Sequence, residues 1–193
     1  GQIIEESVLK YAINSDAAPD IHIGDTSYEL KVTPLKHIKK GKQTSAKERL
    51  VIDIINYLTL ADETDFESSK MWDKAKNILV YYYDDRTDKK KELRIDCKVL
   101  ASYLMKYEAD DLATIKNDWH VIRDKVASGH ADSLSESDTN YLAACTKGAN
   151  SKQLREAPAP AGANTATIFA KQRAFSLKTS YMTAIARKLL NRK

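Results

Sequence analysis

The chain has 193 residues, 42% of them hydrophobic and 30% charged, with a formal net charge of +4. That length supports one sizeable core and argues against two independent domains, and no run approaches the roughly 20 apolar residues a membrane span needs. Residues 1–6, Gly-Gln-Ile-Ile-Glu-Glu, lack the basic start and apolar stretch of a signal peptide, so the expectation is a soluble cytoplasmic protein with a single domain over 1–193.

Ile3, Ile4, Ser7, Val8 and Tyr11 recur at helical spacing and predict a helix over the first dozen residues, ending before Pro19, with Glu5 near its inner edge. Residues 27–35 alternate Tyr28, Leu30 and Val32 against Glu29, Lys31 and Thr33. This is the period of a strand with one buried face, and it puts Glu29 and Lys31 on the same side. Lysine, with Gly41 among it, dominates residues 36–47, read as a mobile flap, and residues 49–57 form another β-rich run. Residues 77–83, Asn-Ile-Leu-Val-Tyr-Tyr-Tyr, predict a central strand buried on both sides at its start, with the tyrosines as strand filling, and 91–104 its neighbour. Leu112, Ile115, Trp119, Ile122 and Val126 step by three and four, an amphipathic helix with Trp119 in the core. Residues 140–145 read as a short strand, 150–155 as one or two helical turns, and the Ala/Pro-rich 157–167 as a flexible loop. A strand at 171–178 and a helix at 179–191, with Met182, Ile185, Ala186, Leu189 and Leu190 inward, complete the order.

Asp20, followed nine residues later by Glu29-Leu30-Lys31, carries the chemistry. Magnesium takes hard oxygen ligands and keeps several waters, so one or two carboxylates suffice for it. Asp20 and Glu29 fit that need, the backbone carbonyl of Leu30 offers a third ligand, and Lys31 can position a water or stabilise developing charge. By spacing alone the same residues also fit a solvated charged strand. The charge distribution favours a polyanion: residues 157–193 hold seven basic and no acidic residues, leaving 24 basic against 27 acidic in 1–156. Lys36, Lys39, Lys40, Lys42 and Lys47 form a second basic run beside the carboxylate pair, so Lys39, Lys40 and Lys42 are candidate DNA contacts. Other chemistries find little support. His22, His37, His120 and His130 are scattered without zinc-ligand spacing, and Cys97 and Cys145 have neither CxxC spacing nor a partner histidine motif, so both are expected as packed thiols. The stretch 146–151 lacks the frame of a phosphate loop, though it can still touch a phosphate.

Residues 1–5 (Gly-Gln-Ile-Ile-Glu), Asp20, residues 29–34 (Glu-Leu-Lys-Val-Thr-Pro) and residues 73–76 (Asp-Lys-Ala-Lys) together resemble the MutH-like nucleases. Residues 141–152 and 173–178 fall where that family places its DNA-reading segments, so the resemblance covers essentially the whole chain. Residues 45–50 and 145–149 look most like the Staphylococcus-type GATC restriction endonucleases, and the mismatch-repair nickase is the more distant cousin.

The resemblance implies a mixed α/β, restriction-endonuclease-like PD-(D/E)xK fold, with a central mixed sheet flanked by helices and two lobes around a DNA cleft. It implies magnesium-dependent hydrolysis of double-stranded DNA at 5′-GATC-3′, before the G. Asp20, Glu29 and Lys31 match the catalytic motif, Glu5 an additional active-site acid, and Lys74 a further lysine there. Lys76 is a candidate DNA contact, as are Lys152, Arg173 and Lys178 in the DNA-reading segments. The stretch from Cys145 to Lys147 matches the sequence-reading loop, with Lys147 the candidate base or phosphate contact. Cys145 replaces an arginine of the nickase, so that contact is not carried over. Ser176 replaces a tyrosine implicated in sensing adenine methylation, which implies weak or absent methyl discrimination. The interval from Asp20 to Glu29 is two residues longer than in the nickase, which leaves the place of Asp20 open. In the restriction branch a second, allosteric DNA-binding half follows the catalytic one. A chain that begins at Gly1 and keeps the triad is then expected to be the catalytic half of a longer polypeptide, with dimerisation on DNA as a further expectation. Two alternatives stand beside restriction: a mismatch-repair nickase at GATC that waits for a partner ATPase, and a DNA-binding effector module without cleavage.

Overall fold

The first two described strands form a hairpin: Ile21–Ile23 (β1) turns through Gly24, at φ +59°, into the 13-residue strand Thr26–Ile38 (β2). The structure, a computed structural model, describes Ile4, Glu6 and residues 21–38, 43–85, 96–148 and 152–191. The helix expected over the first dozen residues, Glu5, Asp20, and the lysines Lys39, Lys40 and Lys42 lie outside the described residues. After β2 come Gln43–Ala46 (β3), Leu50–Ile54 (β4), Tyr57–Asp62 (α1), Lys70–Ala75 (α2), Ile78–Asp84 (β5), Val99–Leu104 (β6) and Ala109–Ala127 (α3). Leu142–Thr146 (β7), Leu154–Pro158 (β8), Thr167–Lys171 (β9), Arg173–Leu177 (β10) and Thr179–Leu190 (α4) follow. These elements divide into two compact units, one of Gly1–Leu50, Lys76–Met105 and Met182–Lys193, the other of Val51–Ala75 and Lys106–Tyr181.

The first unit is built on a five-stranded mixed sheet in the order β1-β2-β5-β6, with β3 paired to the far end of β2. β2 and β5 run parallel, in register from Glu29 opposite Ile78 to Leu35 opposite Asp84, and β6 runs antiparallel to β5. Parallel neighbours need a long crossover, and here the chain leaves the first unit at Leu50 and returns at Lys76. The central position expected for 77–83 holds: Ile78, Leu79 and Val80 are all buried, as a strand covered on both faces requires. Ile21, Leu30 and Leu79 form one apolar cluster, with Tyr28, Tyr81 and Leu104 packed against it. On the other face of β5, Tyr82 donates from its hydroxyl to the Met182 carbonyl (3.4 Å). Within the same unit Ala46 N–H donates to Thr183 Oγ1 (3.0 Å) and Arg187 Nε to the Thr44 carbonyl (2.9 Å), which fasten α4 to β3. Met182 and Ala186 are buried as expected, whereas Ile185, Leu189 and Leu190 are only half-buried.

The flap expected at 36–47 needs correction. Its described parts are strands, β2 continuing to Ile38 and β3 returning from Gln43, with Ile38 opposite Gln43 and Leu35 opposite Ala46. Lysines are common on edge strands, where they discourage pairing with other chains. A lysine-rich composition therefore hid two paired strands.

The second unit holds the three-stranded sheet β4-β10-β7 and the two-stranded β8–β9 hairpin. Trp119, fully buried as expected on α3, meets Phe66 edge-on at 5.9 Å between ring centroids. Burial also pushes the Tyr57 phenol up to about 12, against the pull of the Arg173 and Arg155 charges, and its hydroxyl donates to the Lys171 carbonyl (2.5 Å). Three further expectations change here. The β-rich run at 49–57 stops at Ile54, because Asn56 caps α1 by accepting Thr59 N–H (3.3 Å) on its side chain. Of the helical turns expected over 150–155, Leu154 and Arg155 instead open β8, and the loop at 157–167 is shortened by its pairing, since Pro158 lies opposite Thr167 and Leu154 opposite Lys171. Ala157 and Ala170 are buried on the inner face of that hairpin. Small residues that look like loop composition here fill a tightly packed strand pair.

Candidate active site

Alternation along β2 sets the candidate site. Leu30 points into the apolar cluster, 4% exposed, so its neighbours Glu29 and Lys31 both point the other way. Lys31 Nζ donates to Glu29 Oε2 at 3.1 Å, with the two side chains 26% and 16% exposed. The backbone of Glu29 is fixed from the neighbouring strand, its N–H donating to the Asn77 carbonyl (2.9 Å). Lys76, exposed, directly precedes Asn77 and so belongs beside this strand end. Ile21, which follows Asp20 in the chain, pairs with Tyr28, which precedes Glu29.

Among the described residues no group of three or more His, Cys, Asp or Glu gathers to hold a metal. The other acids of the expected set, Asp20 and Glu5, are not described. What is described fits magnesium: Glu29 offers a half-exposed hard-oxygen donor next to a lysine, with the Leu30 peptide between them. The opposite end of the same strand pair carries a different polar cluster. There His37 Nε2 lies 3.3 Å from Asp84 Oδ1, without hydrogen-bond geometry, and Lys47 pairs with Asp85. Eight residues of strand, about 26 Å, separate His37 from Glu29, so that cluster is no part of the candidate site.

The candidate DNA-reading residues of the second unit divide by what their polar atoms already do. Lys147, just past the end of β7, has an exposed side chain, and so does Lys152. Arg173 is half-buried and donates from Nη1 to the Ala144 carbonyl (3.0 Å) across the β10–β7 ladder. Ser176 is 1% exposed with its hydroxyl on the Ala143 carbonyl (3.4 Å), so it faces the sheet interior. The Lys178 ammonium donates to the Thr139 carbonyl, and its N–H to the Tyr141 carbonyl (2.8 Å). Lys74, half-buried, lies near the end of α2.

Two residues that the sequence reading passed over hold this region together. Asp118, fully buried on α3, accepts from the N–H groups of Asn140 (2.9 Å), Tyr141 (2.6 Å) and Leu142 (2.9 Å) at the entry to β7. A carboxylate among Ile115, Trp119 and Ile122 on an apolar stripe was its signal, because a buried charge needs such partners. Gln172, between β9 and β10, bonds to the main chain of Lys147, and nothing in the sequence marks it.

Residues 9–118, which include Glu29, Lys31, Lys74 and Lys76, match the family described as DNA mismatch repair enzyme MutH. The chain belongs to the MutH family. Its mixed sheet with attached helices is the MutH-like, restriction-endonuclease-like fold expected above. This MutH-family chain is also similar to the type II restriction enzyme Sau3AI of Staphylococcus aureus, at 43% identity over 175 residues. The similarity covers 91% of the chain and 34% of that enzyme, so the chain spans about a third of this relative's length. Among the described residues no helix is long and apolar enough to cross a membrane.

Proposed function

We propose that this chain is the catalytic part of a type II restriction endonuclease that hydrolyses duplex DNA at 5′-GATC-3′, before the G, with magnesium. The observation that carries the proposal is the Glu29–Lys31 pair, presented side by side on β2 in a MutH-family chain that is similar to a type II restriction enzyme. Glu29, the Leu30 carbonyl and Asp20 would hold the metal, with Glu5 and Lys74 completing the site. Magnesium, when bound, polarises the scissile phosphate and lowers the pKa of a bound water. Lys31 orients that water or stabilises charge on the phosphate. Lys147 reads the site from the end of β7, while Lys39, Lys40, Lys42, Lys76 and Lys152 serve the backbone. Arg173, Ser176 and Lys178 support the reading strand through their carbonyl contacts. Restriction is favoured over mismatch nicking because Ser176, where the nickase has its methyl-sensing tyrosine, is a small buried hydroxyl. The proposal extends to a second, allosteric DNA-binding domain in the same polypeptide, to dimerisation on DNA, and to action in the bacterial cytoplasm.

Incubation of the full-length polypeptide with magnesium and plasmid should give a ladder of GATC fragments. Glu29→Ala or Asp20→Ala should remove cleavage by at least about a thousandfold, while metal-free DNA binding is spared or slightly tightened because a negative charge facing phosphate is gone. Equal loss of binding and cleavage would refute the catalytic role of these carboxylates. Equal cutting of DNA without GATC would refute the specificity. Cleavage only with an added activating ATPase, on hemimethylated sites, would transfer the protein to mismatch nicking.

A further inference from the structure

Gln172 is 6% exposed and joins β9 to β10. Its backbone carbonyl accepts the N–H of Lys147 (3.1 Å), and its side-chain Nε2 donates to the Lys147 carbonyl (3.0 Å). Both main-chain polar groups of Lys147 therefore end on one buried residue. On the other side of the amide, Oε1 accepts from Arg155 Nη2 (3.2 Å) and Nε (3.4 Å) and from Gln153 Nε2 (3.3 Å). The Gln172 N–H in turn donates to the Gln153 carbonyl (2.9 Å). A guanidinium has no acceptor, so Arg155 dictates which way the amide lies: oxygen toward the guanidinium, nitrogen toward Lys147.

We propose that Gln172 is a positioning residue for sequence reading, locking the Lys147 peptide so that its exposed side chain meets the duplex in a single orientation, with Arg155 orienting Gln172 from behind. The inference rests on the reading of the stretch from Cys145 to Lys147 as the sequence-reading segment. Its physical basis is the lysine side chain itself, a point charge on a flexible four-carbon stem that discriminates bases only if its root is held. Exposed on a free-hinging loop, the same ammonium would serve any phosphate. Bracketed on both sides of its peptide, it is confined to one approach.

Gln172→Glu separates this role from general support. The carboxylate keeps the acceptors that face Arg155, now as an ion pair, and loses the side-chain donor to the Lys147 carbonyl. The measurement is the ratio of association constants for a GATC duplex and for one with a single base changed, in calcium, for the full-length polypeptide, with thermal unfolding run alongside. Lys147→Ala and Gln172→Glu are each expected to lower that ratio roughly fivefold or more, the range of one base contact. The double variant is expected to fall no further than Lys147→Ala alone, because Gln172 acts only through Lys147. An unchanged ratio for Gln172→Glu, or an equal further loss in the Lys147→Ala background, overturns the proposal and leaves Gln172 a packing residue. If Lys147→Ala itself leaves the ratio unchanged, the reading of the segment falls and the proposal with it. Should Gln172→Glu fail to fold, Arg155→Gln is measured in the same cycle, with the same two outcomes.

Discussion

At the scale of single residues, the Lys31–Glu29 contact adds little to stability. Half-exposed ion pairs contribute about 0–1 kcal/mol, so its meaning lies in what the two groups present to a ligand. Asp138 is the contrasting case, a carboxylate placed for structure. Burial works to raise its pKa, but hydrogen bonds from Lys125 Nζ (2.8 Å) and from Ser135 N–H (2.8 Å), with the Lys125 and Arg173 charges, outweigh that and hold it below the ordinary 3.8. The folded state therefore binds a proton at Asp138 less readily than the unfolded chain does. The stabilisation is complete above 3.8 and is lost as pH falls through the lowered value. Asp138→Asn should cost about 1 kcal/mol at pH 7, the size of a lost cap, and progressively less below 3.8, as read from denaturant unfolding at several pH values. A gap that stays constant down to pH 2 would show that the ionised form is not what matters. Legibility at this scale followed distance along the chain. Glu29 and Lys31 were readable because a two-residue period alone puts them together. Gln172 was not, since its partners Lys147, Arg155 and Gln153 lie 25, 17 and 19 residues away and only the assembled strands bring them in.

Among the elements, those with clean periodicity were readable and those stabilised by their neighbours were not. α3 appears as its apolar stripe predicts, and β5 as its buried run predicts. α1 and α2, six residues each, are too short to repeat a pattern, and the end of β8 with the turn after it is written in alanine and proline. The end of α3 shows how tightly that hairpin is fitted. Gly129 at φ +85° closes the helix by donating to the Val126 carbonyl (2.9 Å), while His130 N–H reaches Lys125 (2.9 Å), the paired bonds of a Schellman cap. A Cβ there would lie 2.2 Å from the backbone nitrogen of Pro160, in the turn of the hairpin. Gly162, at φ +84°, has open space instead. Gly162→Ala should therefore cost about 1–2 kcal/mol, the left-handed penalty alone, and Gly129→Ala about 3 kcal/mol or more, because backbone must also move. Equal shifts in Tm for the two variants would mean that the helix end and the hairpin turn are not in contact in solution.

For the molecule as a whole, stability and chemistry draw on separate groups. Each unit has its own apolar core, Leu30, Leu79 and Tyr82 in one, Trp119, Phe66 and Ile122 in the other. The Glu29 carboxylate, a proposed metal ligand, points away from the core that buries the Leu30 side chain. Chelation should accordingly abolish cleavage while leaving Tm within about 2 °C of its starting value, by the usual scaling of a few degrees per kcal/mol, and added magnesium should restore activity. A collapse of Tm on chelation would make the metal structural. The boundaries of the two units were not readable from sequence, because each unit is assembled from separated stretches whose junctions at Leu50, Ala75, Met105 and Tyr181 carry no linker composition.

The fastening of α4 to β3 has a consequence for the order of events at the ribosome. Ala46 waits for Thr183, Thr44 for Arg187 and Tyr82 for Met182, separations of 137, 143 and 100 residues. All of Val51–Ala75 and Lys106–Tyr181 is synthesised before those partners emerge, so the second unit can finish folding while the sheet bearing Glu29 and Lys31 still lacks its helix. A polypeptide proposed to cut DNA thus completes the sheet bearing Glu29 late, after the segments proposed to choose where it cuts.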